Sequence, residues 1–140
     1  MNVDFVYNTD FKLNNEIETT QWINAFCKSE GFSIDSLVFA FFNDKELKDL
    51  NVKFLNHDYF TDVISFDESY DGFVKGNIAI SIDRVKENAI EFSCSFDDEL
   101  RRVIIHGVLH FMGFNDKTDD EKKKIKEKEN FAIEMFHVKR

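Results

Sequence analysis

The sequence predicts a layered α+β domain, because short apolar runs alternate with longer segments whose apolar residues recur at helical spacing, and N-cap residues head most of the longer segments. No Pro-, Gly- or Ser-rich linker and no internal repeat divides the 140 residues, which predicts one domain over residues 1–140. With 43% hydrophobic residues, including 17 Phe, the chain can build a core without disulfide or metal staples.

Val3 to Tyr7 reads as the first strand. Asn15 stands three residues before Glu18, an N-cap signal, and Ile17, Ile23 and Phe26 make the apolar stripe of a helix that stops at Gly31. The unbroken run Leu37 to Phe42 is expected to be a strand covered on both faces. Asn43 with Glu46 opens a helix carrying Leu47, Leu50, Phe54 and Leu55 on its apolar side. Val63 to Phe66 and Ile78 to Ile82 are strands with a turn at Asp71-Gly72 between them. Asp83 is expected to cap a short helix through Val85 and Ala89, and Ser95 with Asp98 caps the next, which Leu100, Val103, Ile104, Val108 and Phe111 carry inward. The capping box Thr118 to Glu121 starts a last helix through Ile125 to Met135. Four strands and five helices result.

Charge and cysteine use narrow the function classes. A net charge of −9 opposes non-specific binding to a polyanion, so a nucleic-acid role needs a metal, a local basic patch or a partner that delivers the substrate. Cys27 and Cys94 each lie in an apolar stretch without a CxxC pattern, and both read as reduced core residues of a cytoplasmic protein. The N-terminus has neither a basic region nor a long apolar one, and the run Val103 to Asn115 is too short to span a bilayer, so no membrane role is expected.

The segment His106-Gly107-Val108-Leu109-His110-Phe111-Met112-Gly113-Phe114-Asn115-Asp116 carries the chemistry. At ~100° per residue, His106 and His110 differ by about 40° around a helix and by ~6 Å along it, so both imidazoles can lean onto one cation. Gly113 follows where a helix can end in a left-handed cap, after which the chain can turn back and offer Asp116 to the same point. The spacing is the skeleton of the metzincin pattern HExxHxxGxxH with a carboxylate as third ligand, an accepted zinc donor that leaves a fourth position open for water. The general base of that pattern is missing, since Gly107 stands in the place of Glu. A Gly inside a helix costs ~1 kcal/mol, which suggests that a backbone or a substrate approaches it closely. Peptide hydrolysis loses its usual base by this change, whereas zinc can generate hydroxide unaided for a phosphodiester. Asp119 and Asp120, near Asp116, have the plainer role of favouring the start of the last helix.

These residues resemble the signature HGxLHxxGYDH of the YbeY family of metal-dependent endoribonucleases, also called rRNA maturation factors. His106 to His110 and Gly113 match it, and Phe114 stands where the family has Tyr. Leu50-Asn51 with Thr61 to Phe66 is similar to the family's LN…TDVLSF, and Gly76 to Ser81 to its GDIxIS. The resemblance implies a small four-stranded mixed sheet with about five helices and a zincin-like metal-binding helix. It also implies one Zn2+ or other divalent metal per chain on His106, His110 and Asp116, with metal-bound water attacking the phosphodiester of single-stranded RNA in rRNA maturation and ribosome biogenesis. Its partners would be rRNA or a ribosomal subunit, with delivery by a ribosome-associated protein as a further route.

Two positions depart from the family: its third metal-binding His is Asp116 here, and its Arg shortly after LN falls on Leu55. Lys53, His57 and Arg102 are candidates to replace that charge, Lys53 and His57 as RNA-binding residues and Arg102 as a catalytic one. Asp62 is a further catalytic candidate, or a residue orienting a ligand His through its second nitrogen. The plainer readings are solvated helix-end residues for Lys53 and His57, a surface ion pair for Arg102 and a strand or turn cap for Asp62. Lys122, Lys123, Lys124, Lys126 and Lys128 among Glu121, Glu127 and Glu129 read as a solvated helix face, and His137 as surface. Other classes are a metal-stabilised ribosome-associated factor without catalysis, a metalloprotease, opposed by Gly107, and a two-His-one-carboxylate iron oxygenase, a set usually presented from strands.

Overall fold

The computed structural model describes residues 2–138. In chain order the elements are β1 (Val3–Tyr7), α1 (Glu16–Ser29), β2 (Ser33–Phe42), α2 (Asp44–Leu55), β3 (Val63–Asp67), β4 (Phe73–Ser81), α3 (Ile82–Glu91), α4 (Phe96–Phe111) and α5 (Asp119–Val138). The sheet order is β1-β2-β4-β3, with β1, β2 and β4 parallel and β3 antiparallel to β4. The parallel pairs need crossovers, supplied by α1 and by the α2–β3 excursion, while β3 and β4 form a hairpin closed near Asp71-Gly72. This is the expected α+β fold with a mixed sheet.

One sheet face carries the main core. Leu37, Phe39 and Phe41 of β2 and Ile78 and Ile80 of β4 pack there with Trp22, Ile23 and Phe26 of α1, Ile104 and Val108 of α4, and Ile125, Ala132 and Phe136 of α5. On the other face only a small cluster, Leu47, Ile64 and Ala79, is buried. The run Leu37 to Phe42 is therefore fully covered on one face and half-covered on the other, because α2 alone spans the second layer.

Local differences from the sequence reading have local causes. Ile17 is 71% exposed, and Trp22 takes a buried place on α1, its indole N–H donating to the Ala132 carbonyl of α5 at 2.7 Å. Phe54 and Leu55 are exposed at the end of α2, where Phe54 meets the Phe66 ring of β3, edge to face at 6.0 Å between centroids, beside an open apolar cavity. The cap of α3 is Ser81, whose hydroxyl accepts from the Arg84 amide at 3.1 Å; Asp83 instead accepts from the Asp44 amide at 2.9 Å. Cys27 is buried, and burial pushes its thiol up to about 12, but Cys94 is exposed in the turn before α4.

Gly107 does not admit a backbone or a substrate. A Cβ there would lie 3.0 and 3.1 Å from Ile78 side-chain atoms, so the glycine lets α4 lie close against β4.

The capping box of α5 forms as expected. Thr118 Oγ1 accepts from the Glu121 amide at 3.1 Å, and Glu121 Oε1 accepts from the Thr118 amide at 2.9 Å. Thr118→Ala should lower unfolding stability by about 1 kcal/mol, the usual value of such a cap, and chemical denaturation should register it as a shift in midpoint. An unchanged midpoint would mean that packing alone fixes the start of α5.

Candidate metal centre

Helix α4 brings both histidines to one side one turn apart, as their spacing requires. The helix ends in a Schellman turn: the Gly113 amide donates to the His110 carbonyl at 3.0 Å and the Phe114 amide to the Leu109 carbonyl at 3.1 Å. Gly113 sits at φ +94, a conformation that side chains oppose. This turn aims the Phe114 carbonyl back at His110, whose Nδ1 donates to it at 3.0 Å. It also returns the chain so that Asp116 Oδ2 lies 3.3 Å from His106 Nε2 and 3.7 Å from His110 Nε2.

The second support comes from α5. Glu129, buried among apolar neighbours, accepts from His106 Nδ1 through Oε2 at 2.8 Å, and its Oε1 accepts from Arg102 Nη1 at 3.0 Å. Arg102 also donates to Asn130 Oδ1 at 3.1 Å, and its Nε lies 3.7 Å from Glu99. These partners assign the tautomers. Both Nδ1 atoms donate, so the two Nε2 atoms, 2.9 Å apart beside a carboxylate, are left to share a cation, whether a proton or a metal ion.

Two lone pairs and a carboxylate repel one another unless a cation lies between them. One ligand atom each from His106, His110 and Asp116 falls within 4.8 Å of the others, and no other such group occurs among the described residues. The donor set thus fits a divalent cation of the zinc type. The field agrees. Burial favours a neutral ring at His106, but the Glu129 hydrogen bond and the charges of Glu129, Asp116 and Asp62 outweigh it and raise its pKa above the ordinary value.

A cleft of about 720 Å³ opens beside the site. Asp62 lines it, and burial raises its carboxyl pKa, with the nearby His106 working in the opposite sense. Its Oδ2 accepts from Asn88 Nδ2 at 3.2 Å. Glu129, and not Asp62, is therefore the carboxylate that bonds the second nitrogen of a ligand-type His. Arg102 lines the cleft too, but its guanidinium is already engaged by Glu129 and Asn130. Lys122 and Lys126 of the series read as a solvated face lie on the cleft wall, as does Cys94. Lys53, His57 and Leu55 do not line it.

Glu129 was missed because it looked like one of several surface acids. A signal was present: Ile125, Glu129, Ala132 and Phe136 fall at i, i+4, i+7 and i+11, which puts an acid inside the buried stripe of α5.

Fold and site together define a class: small α+β proteins with an i, i+4 His pair on a core helix and an acid beyond its glycine cap, a group that could hold a cation. The family model described as Endoribonuclease YbeY matches residues 6–137, and the chain belongs to the YbeY family. A protein of Flavobacterium johnsoniae named Endoribonuclease YbeY is 41% identical over 136 residues, covering 97% of this chain and 98% of that one. One of the same name from Christiangramia forsetii is 43% identical over 136 residues, with 97% and 95% covered. A solution structure of a Thermotoga maritima protein superposes with a TM-score of 0.73 at 27% identity, covering 98% of this chain and 90% of that chain.

Proposed function

We propose that this chain is a metal-dependent endoribonuclease acting on single-stranded RNA in rRNA maturation, with one zinc or other divalent ion on His106, His110 and Asp116. The observation that supports it most is the convergence of the two Nε2 atoms, 2.9 Å apart beside the Asp116 carboxylate, with both Nδ1 atoms already engaged elsewhere. A cation bound there supplies Lewis acidity and lowers the pKa of water to near neutrality. Glu129 keeps the proton on His106 Nδ1, and the Phe114 carbonyl keeps it on His110 Nδ1, so both rings remain donors to the cation. Asp62, held by Asn88 at the cleft wall, is a candidate to hold or pass on a proton of the attacking water.

The charge of the cleft supports an anionic substrate only with the metal in place. Arg102, Lys122 and Lys126 face Asp62, Glu99, Asp116 and Glu129, so a dication turns a slightly negative wall net positive. This resolves the conflict between an acidic chain and a polyanion. No described helix is long and apolar enough to cross a membrane. A role in rRNA maturation would set the protein in the cytoplasm, at a ribosomal subunit.

Elemental analysis should find about one metal per chain, and purified protein should cut single-stranded RNA in a reaction stopped by a chelator and restored by zinc. A second reading, a ribosome-associated factor without catalysis, is favoured by Leu55, which brings no charge where the family has Arg. Fully metallated protein that sediments with ribosomal subunits and leaves RNA intact would select that reading instead.

A further inference from the structure

We propose that Tyr59 and Phe60 form a base-stacking shelf that receives single-stranded RNA on its way to the metal centre, an inference that rests on the nuclease reading above. Both rings sit in the connection from α2 to β3 and are 53% and 50% exposed, in a chain with enough core to bury them. Their orientation is fixed. The His57 ring stacks on Tyr59 at 5.3 Å between centroids with 18° between planes, and the Tyr59 hydroxyl meets His57 Nδ1 at 3.0 Å. Phe60 has the Lys48 ammonium 4.6 Å and the Arg84 guanidinium 5.6 Å from its centroid, within cation–π range. Arg84 is itself gripped by Asp44 at 2.7 Å and Glu87 at 2.8 Å, and Lys48 pairs with Asp58 at 3.5 Å.

The backbone under the rings is pinned from inside the protein. Asn51, 1% exposed, donates from Nδ2 to the Tyr59 carbonyl at 3.1 Å, and its own carbonyl accepts from the His57 amide at 3.1 Å. A buried amide is thus used to hold an exposed aromatic loop. The loop leads directly into the cleft: Asp62, two residues beyond Phe60, lines the cleft wall, and its carbonyl accepts from the Ser81 amide at 2.9 Å.

Stacking suits this chain because it needs no net positive surface, and a base face is available only in unpaired RNA. The two cations set against the Phe60 ring favour a nucleic acid over an apolar protein partner, since aromatic faces with adjacent cations are the common equipment of single-strand binders.

The test uses metallated full-length protein and a cleavage-resistant phosphorothioate RNA of about 8 nucleotides carrying 2-aminopurine, near the site size of single-strand binders. Fluorescence should fall on binding as the base stacks. Tyr59→Ala and Phe60→Ala should each weaken binding on the order of 10-fold. Tyr59→Trp and Phe60→Trp should keep both affinity and quenching, with metal content as in wild type throughout. Alanine variants that bind and quench like wild type would overturn the shelf while leaving the nuclease reading intact. Alanine variants that keep RNA affinity but lose ribosomal subunits would give the loop to a protein and also overturn it. A metallated wild type that neither binds nor cuts RNA would remove the nuclease reading, and the shelf with it.

Discussion

His110→Ala should abolish metal binding and RNA cleavage together while the fold persists. His110 is one of three ligand candidates in the group found among the described residues, and its ring is held for coordination by the Phe114 carbonyl. Removing a ligand should cost more than the ~10–100-fold in affinity that the loss of a supporting residue costs. The side chain is 30% exposed, so its truncation leaves no sealed cavity in the core. Thermal unfolding separates the two consequences. Zinc at about 100 times its dissociation constant stabilises a native site by about 2.7 kcal/mol, and the resulting rise in midpoint should be present in wild type and absent in the variant. Asp116→His, which restores the family's imidazole, should keep the rise. Cleavage that survives in metal-free His110→Ala would expose a contaminating nuclease and remove the activity assigned to this site.

The parts of the site that were legible in the sequence are those built from consecutive residues. The His pair, its glycine cap and the returning Asp116 lie within eleven positions, and helix geometry with a Schellman turn fixes their relation almost without tertiary information. Glu129 approaches from a helix 23 residues away, so its partner depends on how α5 lies across α4, which spacing does not encode. Asn51 was legible only as part of a resemblance, and its work of holding the Tyr59 carbonyl appears only once the loop is folded. Elements followed the same division. Strands and helices came from period and caps, whereas the order β1-β2-β4-β3 depends on a hairpin strand inserting beside β2. Gly107 shows the limit from the other side. Its conflict with helix propensity was readable, but its cause, the Ile78 side chain of β4, was a packing fact.

Glu129→Ala should damage metal affinity and stability together, because one carboxylate serves both. Its Oε2 orients His106 and its Oε1 neutralises Arg102, with the side chain only 8% exposed. Loss of the carboxylate frees the His106 ring to turn, and zinc affinity should fall ~10–100-fold by competition with a chromophoric chelator. Arg102 loses its close partner, but at 31% exposure it retains water, so the stability cost should be about 2 kcal/mol and not the ~3–5 of a fully buried broken pair. Glu129→Gln separates the two effects. The amide oxygen can still accept from His106 Nδ1, so the ring stays aligned, while the charge that pairs with Arg102 is gone. Metal affinity in Gln should therefore lie nearer wild type than in Ala, whereas chemical denaturation should show much of the stability loss in both. Equal zinc affinity in wild type and Glu129→Ala would mean that the Asp116 and His110 contacts hold His106 unaided, and the role assigned to α5 in the metal centre would fall.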